Sequence, residues 1–308
     1  ILADPLERLR PKTDTTLAIV HASQDRKHRV FWATESGLRL DNGRVRVECA
    51  PCESWQPNGL PHLGAYKEMA LRDFSLVWIR KDPPFDGSYL KLCWLLALEE
   101  KNVPMLNRPS VLLRYHEKML PFEAAAAGVL KASELVPTHI GSPESAQAYA
   151  TAGELSDVIQ KPFLGFGGGD VKKFSRGQWA EQASREGDML TQPYLPEITD
   201  KGDRRVMFLN GKVVGDFVRL PQPGQYVSNL ARGGSAALIP MTAGQKALAQ
   251  RLGKFLKKRG IDFAGADLIG SRVSEVNITS PTGVLKLKEL TGIDVAAMLV
   301  AYAERSAQ

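Results

Sequence analysis

Lys161-Pro162-Phe163-Leu164-Gly165-Phe166-Gly167-Gly168-Gly169-Asp170-Val171 joins two β-prone runs, Val158 to Phe163 and Val171 to Phe174, with no helical stretch between them. The glycine loop of a Walker or dinucleotide-binding site leads from a strand into a helix, so this one reads instead as the flap of a hairpin. Lys161 adds chemistry to the flap. A lysine near the end of a buried strand is costly to desolvate unless it meets an anion, and the glycines after it let backbone N–H groups approach a phosphate closely. The pair reads as a phosphate clamp, against the plainer alternative of a flexible hairpin that happens to contain glycine.

Downstream, the period of two along Arg272-Val273-Ser274-Glu275-Val276-Asn277-Ile278 puts Glu275 and Asn277 on one face of a strand. Asp267 lies on the preceding strand of the same hairpin, which turns at Gly270-Ser271, and cross-strand pairing brings it to that face. Two carboxylates and a carboxamide around one point suit a hard cation such as Mg²⁺; solvent-facing positions of an ordinary hairpin are the alternative. Thr279-Ser280-Pro281-Thr282-Gly283 follows as a polar turn able to offer hydroxyls and N–H groups beside the cation. Further strands are predicted at Leu190 to Tyr194, Arg205 to Leu209 and Lys212 to Leu220, with a basic helix from Gln245 to Arg259. Thr191-Gln192-Pro193-Tyr194-Leu195-Pro196 is able to present a carbonyl and an N–H to an adenine edge, although a prolyl-stopped edge strand reads the same way.

Upstream, elements alternate. Thr15 to Gln24 is a predicted helix, Arg29 to Ala33 a strand, and Leu38 to Leu40 with Arg44 to Glu48 form a hairpin about Asp41-Asn42-Gly43. Phe74 to Arg80 reads as a strand buried on both faces, followed by the Pro-rich loop Lys81 to Asp86, a helix from Ser88 to Lys101, a short strand at Val103 to Leu106 and a helix capped by Ser110. This is the pattern of an open α/β sheet, whose ligands gather at the loops after strand ends. Lys118, at the border with the next region, is a further phosphate candidate, although a lysine following a glutamate also fits a solvated helix face. Val136 to Ile140 is another strand, ahead of a helix starting near Pro143.

With 308 residues, 24% charged and 44% hydrophobic, the composition excludes disordered, collagen-like and coiled-coil chains. At about 150 residues per domain the length suggests two domains or three small ones. The N-terminal Ile1-Leu2-Ala3-Asp4-Pro5 reads as the end of a buried strand and has no signal-peptide pattern, and no apolar run reaches membrane-spanning length. Three cysteines are too few for a disulfide framework, which agrees with a cytoplasmic setting. Cys49-Ala50-Pro51-Cys52 has redox or zinc spacing, but it is predicted to end a strand rather than open a helix, and no second ligand pair accompanies it. The 40 basic against 34 acidic residues give +6, compatible with nucleic acid, an anionic membrane or a phosphate-bearing small molecule. Lys254, Lys257, Lys258 and Arg259 cluster on one helix, where the helix dipole explains the C-terminal positions, so neither nucleic acid nor membrane is expected as a partner.

Four segments together resemble bacterial glutathione synthetase of the ATP-grasp superfamily: Arg80-Lys81-Asp82-Pro83-Pro84-Phe85-Asp86, Lys161-Pro162 with its glycine loop, Asn229-Leu230-Ala231-Arg232-Gly233-Gly234, and Glu275 to Gly283. The resemblance extends from Asp4-Pro5 and Lys12 to Thr16 through Leu290-Thr291-Gly292-Ile293-Asp294. It implies an α/β chain with an N-terminal open α/β domain (1–117) followed by a two-part ATP-grasp fold: a central lid (118–190) and a C-terminal subdomain (191–308). It also implies ATP on Lys118, Lys161, Gly165, Gly167 and Gly168, with adenine against Gln192, Pro193, Tyr194 and Leu195 and ribose at Asp203. Mg²⁺, with Mn²⁺ as a substitute, would sit on Asp267, Glu275 and Asn277. Arg205 and Arg219 would be catalytic, and Asp14, Thr15, Arg80, Asn229, Arg232, Ser280 and Thr282 would bind substrate. The implied reaction joins γ-glutamylcysteine to glycine through an acyl phosphate, in a homo-oligomer, dimer or tetramer. Another carboxylate–amine pair on the same scaffold, such as a glutamate-adding ligase, is the nearest alternative. A basic nucleic-acid-binding protein and a catalytically silent ATP-binding scaffold are the remoter ones. The sequence departs from the family's pattern at Leu164, at Val227 in place of an arginine, and at Leu285-Lys286 in place of an Arg-Glu pair, all toward the substrate end.

Overall fold

The computed structural model of the chain describes residues 1–165, 171–175, 189–228, 230 and 233–306. The first part opens with β1 (Leu2–Ala3) and helix α1 (Thr15–Asp25), whose N-terminus is capped by Asp14: its carboxylate accepts from the N–H groups of Thr16 (2.7 Å) and Leu17 (3.1 Å). An antiparallel ribbon follows, with β2 (Phe31–Trp32), β3 (Leu38–Asp41), β5 (Pro61–Leu63) and β6 (Lys67–Ala70) all pairing with the long β4 (Arg44–Trp55). The β3–β4 turn places Asn42 and Gly43 at φ +47° and +77°, the left-handed pair that an Asn-Gly hairpin supplies. β7 (Val77–Arg80) is buried at all four positions and lies between β1 and β8 (Met105–Leu106) in a parallel sheet, joined by α2 (Gly87–Ala97). α3 (Pro109–Arg114) and α4 (Leu120–Ala126) close this part.

Two local expectations are corrected. Cys49 and Cys52 lie within β4, not at its end, and are buried. α3 starts from Arg108 with Pro109 in its first turn; Ser110 is not the cap, because its hydroxyl and N–H both go to the Glu100 carboxylate (2.6 and 2.8 Å).

The central sheet has the order β11-β10-β12-β9, antiparallel throughout, from β9 (His139–Gly141), β10 (Asp157–Pro162), β11 (Lys172–Ser175) and β12 (Met189–Pro193), with α5 (Pro143–Ala152) inserted after β9. β10 and β11 pair from Asp157↔Ser175 to Gln160↔Lys172, so the strands flanking the glycine loop form the expected hairpin. Gly167 and Gly168 in that loop lie outside the described residues.

After α6 (Glu197–Lys201), the last sheet runs β15-β14-β13-β16-β17. Its strands are β13 (Asp203–Leu209), β14 (Lys212–Leu220), β15 (Ser235–Ala237), β16 (Phe263–Ile269) and β17 (Arg272–Asn277). The strand period sorts its faces. Val206 and Phe208 share a core with Leu248, Leu252 and Phe255 of α7 (Ala243–Lys258), whereas Met207 and Leu209 share one with Leu287 of α8 (Val284–Thr291) and Leu299 of α9 (Val295–Ser306). Each fully buried leucine of α7 contributes about 2–3 kcal/mol. Thr242 and Gln245 form a capping box at its start, and Lys257 and Lys258 sit in its last turn, where the dipole favours them.

Asn107 fastens the first part to this sheet. Its amide donates to the carbonyls of Phe263 (2.6 Å) and Ile278 (2.7 Å), and its oxygen accepts from the N–H groups of Asp262 (3.0 Å) and Phe263 (2.9 Å). A buried carboxamide with all these groups paired specifies one docking geometry. Among the described residues no helix is long and apolar enough to cross a membrane.

Candidate active site

A cleft of about 900 Å³ opens between the three sheets, a size suited to a nucleotide with a second ligand. On its floor, β13, β14 and β16 bring charges into register: Asp203 is opposite Arg219, and Arg205 is opposite Asp267. Arg205 grips Asp267 through Nε (2.6 Å) and Nη2 (3.0 Å), and Arg219 grips Asp203 through Nε (2.8 Å) and Nη2 (2.5 Å). A further contact of 3.0 Å from Arg219 to Asp267 links the pairs into one chain. Burial alone would raise the Asp267 carboxyl, but the guanidiniums of Arg205 and Arg219 outweigh it and hold the group below its ordinary value. At Arg219 burial is outweighed by the carboxylates of Asp203 and then Asp267, which hold the guanidinium charged. Gly265 makes room for the network, since a Cβ there would lie 3.1 Å from Arg205 Cδ.

β17 carries the remaining oxygen donors. Glu275 is directly opposite Asp267, and Asn277 is opposite Gly265. The Asn277 amide donates to the Gly265 carbonyl and to Asp267 Oδ2, both at 3.3 Å, which leaves its own oxygen as a donor atom for a cation. The Glu275 carboxylate makes no hydrogen bond or ion pair among the described residues, and the residue lines the cleft. Asp267, Glu275 and Asn277 occupy neighbouring positions of β16 and β17, a set of oxygen donors of the kind a hard divalent cation takes, with Asp267 also engaged by two arginines.

Apolar side chains line the cleft as well: Val136, Ile159, Leu195, Ile198 and Ile269, beside Gln192, Pro193 and Tyr194. The Tyr194 N–H is taken by the Asp157 carbonyl (2.9 Å), which removes it as a donor to a base. The Leu195 N–H has no backbone partner among the described residues and is the donor this segment retains. Lys161 also lines the cleft.

Lys118 is placed differently from a solvated helix face. It is buried, and its ammonium donates to the carbonyls of Pro162 (2.9 Å), Phe163 (2.8 Å) and Gly165, so all three of its N–H groups are used at the base of the glycine loop. Burial lowers its proton affinity, and the charge of Lys161 adds to that, against Glu275 and Glu117. The residue before it, Glu117, gave no sequence signal. Its Oε1 accepts from the N–H groups of Ile278 (2.7 Å) and Thr279 (2.8 Å) and from the Thr279 hydroxyl (2.7 Å). Burial and then Glu275 push the Glu117 carboxyl up, while these hydrogen bonds oppose the shift.

At the far end Asp14, Lys12, Asp82, Ser280 and Thr282 line the cleft. The Thr282 carbonyl accepts from Arg205 Nη1 (3.0 Å). Arg80 is buried behind this wall, donating to Thr16 Oγ1 (3.3 Å) and the Pro281 carbonyl (3.1 Å), and Thr15 is buried as well, so neither lines the cleft. Asn229 and Arg232 lie outside the described residues. Of the departing residues, Val227 and Lys286 line the cleft, Lys286 paired with Glu289 (2.5 Å), whereas Leu285 packs into the core and Leu164 is exposed.

A family model for the N-terminal domain of prokaryotic glutathione synthetase matches residues 1–113, and one for its ATP-grasp domain matches residues 127–292. The chain belongs to the prokaryotic glutathione synthetase family. Curated glutathione synthetases share this span: the one from Shewanella oneidensis is 31% identical, with 97% of this chain and 95% of the relative covered. The one from Citrobacter rodentium is 32% identical over 97% and 96% of the two chains. Among solved structures, D-cycloserine synthetase DcsG superposes with a TM-score of 0.68 at 17% identity, covering 99% of this chain and 98% of that one. A RimK domain ATP-grasp protein from Sphaerobacter thermophilus gives 0.64 at 17%, covering 98% of each. These last two show the shared ATP-grasp fold. Lys161 of the β10 strand and Asp267, Glu275 and Asn277 of β16 and β17 line the same cleft.

Proposed function

We propose that the chain is an ATP-dependent carbon–nitrogen ligase that joins γ-glutamylcysteine to glycine, giving glutathione, ADP and phosphate. Membership of the prokaryotic glutathione synthetase family carries this reading, and the chemistry of the cleft supports it. Phosphoryl transfer needs positioning and charge neutralisation more than a covalent nucleophile, and the cleft offers lysine, two arginines and oxygen donors for a cation.

A carboxylate oxygen of γ-glutamylcysteine attacks the γ-phosphorus of ATP; the bond to the β-phosphate oxygen breaks, ADP departs, and an acyl phosphate forms. The glycine amine then attacks the acyl carbon, the C–O bond to phosphate breaks, and the amine proton is released. In this reading Lys161 holds ATP phosphates, joined by Lys118 when it exchanges its loop carbonyls for phosphate, with Gly165, Gly167 and Gly168 closing over them. The segment from Gln192 through Pro193 and Tyr194 to Leu195 takes the adenine and Asp203 the ribose. Arg205 and Arg219 hold the reacting carboxylate and phosphoryl group. Asp14, Thr15, Asn229, Arg232, Ser280 and Thr282 bind the peptide and the glycine, and Arg80 braces that wall from behind. Asp267, Glu275 and Asn277 would hold a divalent cation, Mg²⁺ with Mn²⁺ as a substitute, which would supply neutralisation of phosphate charge. The acyl phosphate must be kept from water, a physical reason for loops that cover the cleft.

The proposal includes the division at 117 and 190, a homo-oligomer and a cytoplasmic setting. Separate central and C-terminal sheets support a two-part ATP-grasp region, although the cut at 190 falls inside β12 of the central sheet; the family resemblance supports the second, and three buried free thiols the third. The deciding assay is phosphate release from ATP and Mg²⁺ with γ-glutamylcysteine, with and without glycine, followed by a panel of other acids and amines. Release dependent on both glutathione precursors is expected. No turnover with them, together with turnover on a different pair, overturns the substrate assignment.

A further inference from the structure

We infer that Glu117 is a positioning residue for the cation-binding end of the cleft, holding the exit of β17 so that Glu275 and Asn277 keep a fixed place relative to Ser280. The inference deepens the proposed function and rests on it for the identity of the cleft.

Four hydrogen bonds converge on this one residue. Its main-chain carbonyl accepts from the Val276 N–H (3.2 Å), and its Oε1 accepts from the Ile278 N–H (2.7 Å), the Thr279 N–H (2.8 Å) and the Thr279 hydroxyl (2.7 Å). Asn277 is bracketed by these contacts and Glu275 lies one residue before them, so the strand cannot shift there without breaking bonds to a single anchor. Taking a carboxylate out of water costs several kcal/mol unless donors meet it, and three donors meet this one. The next residue extends the device: Lys118 donates to the Pro162, Phe163 and Gly165 carbonyls, so two consecutive residues tie the strand carrying the oxygen donors to the base of the glycine loop. Removing such a support loosens a cation site by about 10–100-fold, and displacing reacting groups by about 1 Å costs about 10²-fold in rate.

The test uses the full chain with ADP present and follows Mn²⁺ binding by electron paramagnetic resonance, alongside steady-state kinetics. Glu117→Ala is expected to raise the apparent Mn²⁺ Kd by about tenfold and to lower kcat by about 10²-fold, while the KM for γ-glutamylcysteine stays within about threefold. Glu117→Gln keeps an oxygen acceptor for the same donors and is expected to recover most of both losses. Wild-type Mn²⁺ affinity in Glu117→Ala, or Glu117→Gln as impaired as the alanine variant, overturns the inference. Should Glu117→Ala not fold, Thr279→Val deletes one donor only and is expected to weaken Mn²⁺ binding by about threefold; an unchanged affinity overturns the inference equally. Wild-type protein that binds Mn²⁺ with ADP but releases no phosphate with γ-glutamylcysteine and glycine overturns the proposed substrates and leaves the Glu117 result standing.

Discussion

Asp267→Asn is the most demanding perturbation of the charge network. The buried carboxylate accepts two hydrogen bonds from Arg205 (2.6 and 3.0 Å) and one from the Asn277 amide (3.3 Å), with Arg219 at 3.0 Å. The asparagine keeps one acceptor oxygen but turns an NH₂ toward a guanidinium and leaves two buried arginines with Asp203 as their sole close carboxylate partner among the described residues. Breaking a buried pair in this way costs about 3–5 kcal/mol. At about 2–4 °C per kcal/mol for a unit of 150–250 residues, the melting midpoint should fall by about 10 °C at pH 7. The pH dependence gives an independent sign. The Asp267 carboxyl is held below its unfolded value, so its contribution is present above that value and is lost as pH falls through the folded one. The wild type should therefore lose its advantage over Asp267→Asn only in the acid range below about pH 4. Calorimetry without ligands, from pH 3 to 8, is the assay. A midpoint within about 2 °C of wild type at pH 7, or a difference that does not shrink on acidification, refutes the network as described.

Glu275→Gln removes a cleft-lining carboxylate with no ion pair among the described residues, so it should leave the melting midpoint unchanged while lowering turnover at limiting Mg²⁺ by about 10²-fold or more; near-wild-type turnover there contradicts its role as a cation ligand. Lys161→Met should raise the KM for ATP by about tenfold or more, from the loss of a charged contact of about 1.5–3 kcal/mol, and an unchanged KM removes Lys161 from the phosphate site. Burial pushes the Cys52 thiol up to about 11 and that of Cys93 up to about 12, and also raises Cys49. All three should resist a thiol reagent at pH 8 in the native protein and react rapidly in denaturant; prompt labelling of native protein speaks against the buried positions.

The parts of the fold legible in the sequence are those with a local period or a local breaker. Strand alternation placed Glu275 and Asn277 on one face and Asp267 opposite, and the absence of a helix after Gly165 identified the hairpin. The β13–β16 pairing that joins Arg205 to Asp267 spans 62 positions and leaves no local trace. Glu117 was invisible for the same reason: its partners lie 161 and 162 positions away, and beside Lys118 it read only as part of a charged pair. Asn107, between two short elements, likewise finds its partners 155 to 171 positions on. The cysteine spacing, discounted in the sequence for want of a second ligand pair, lies within β4 with both side chains buried, where burial keeps the Cys52 thiol protonated.

The central claim is that a carboxylate is activated by phosphoryl transfer before the amine attacks. γ-Glutamylcysteine labelled with ¹⁸O in its C-terminal carboxylate, incubated with the protein, ATP, Mg²⁺ and glycine, tests it most directly. The account predicts one ¹⁸O in each phosphate released and one retained in the new amide; unlabelled phosphate alongside product would contradict it.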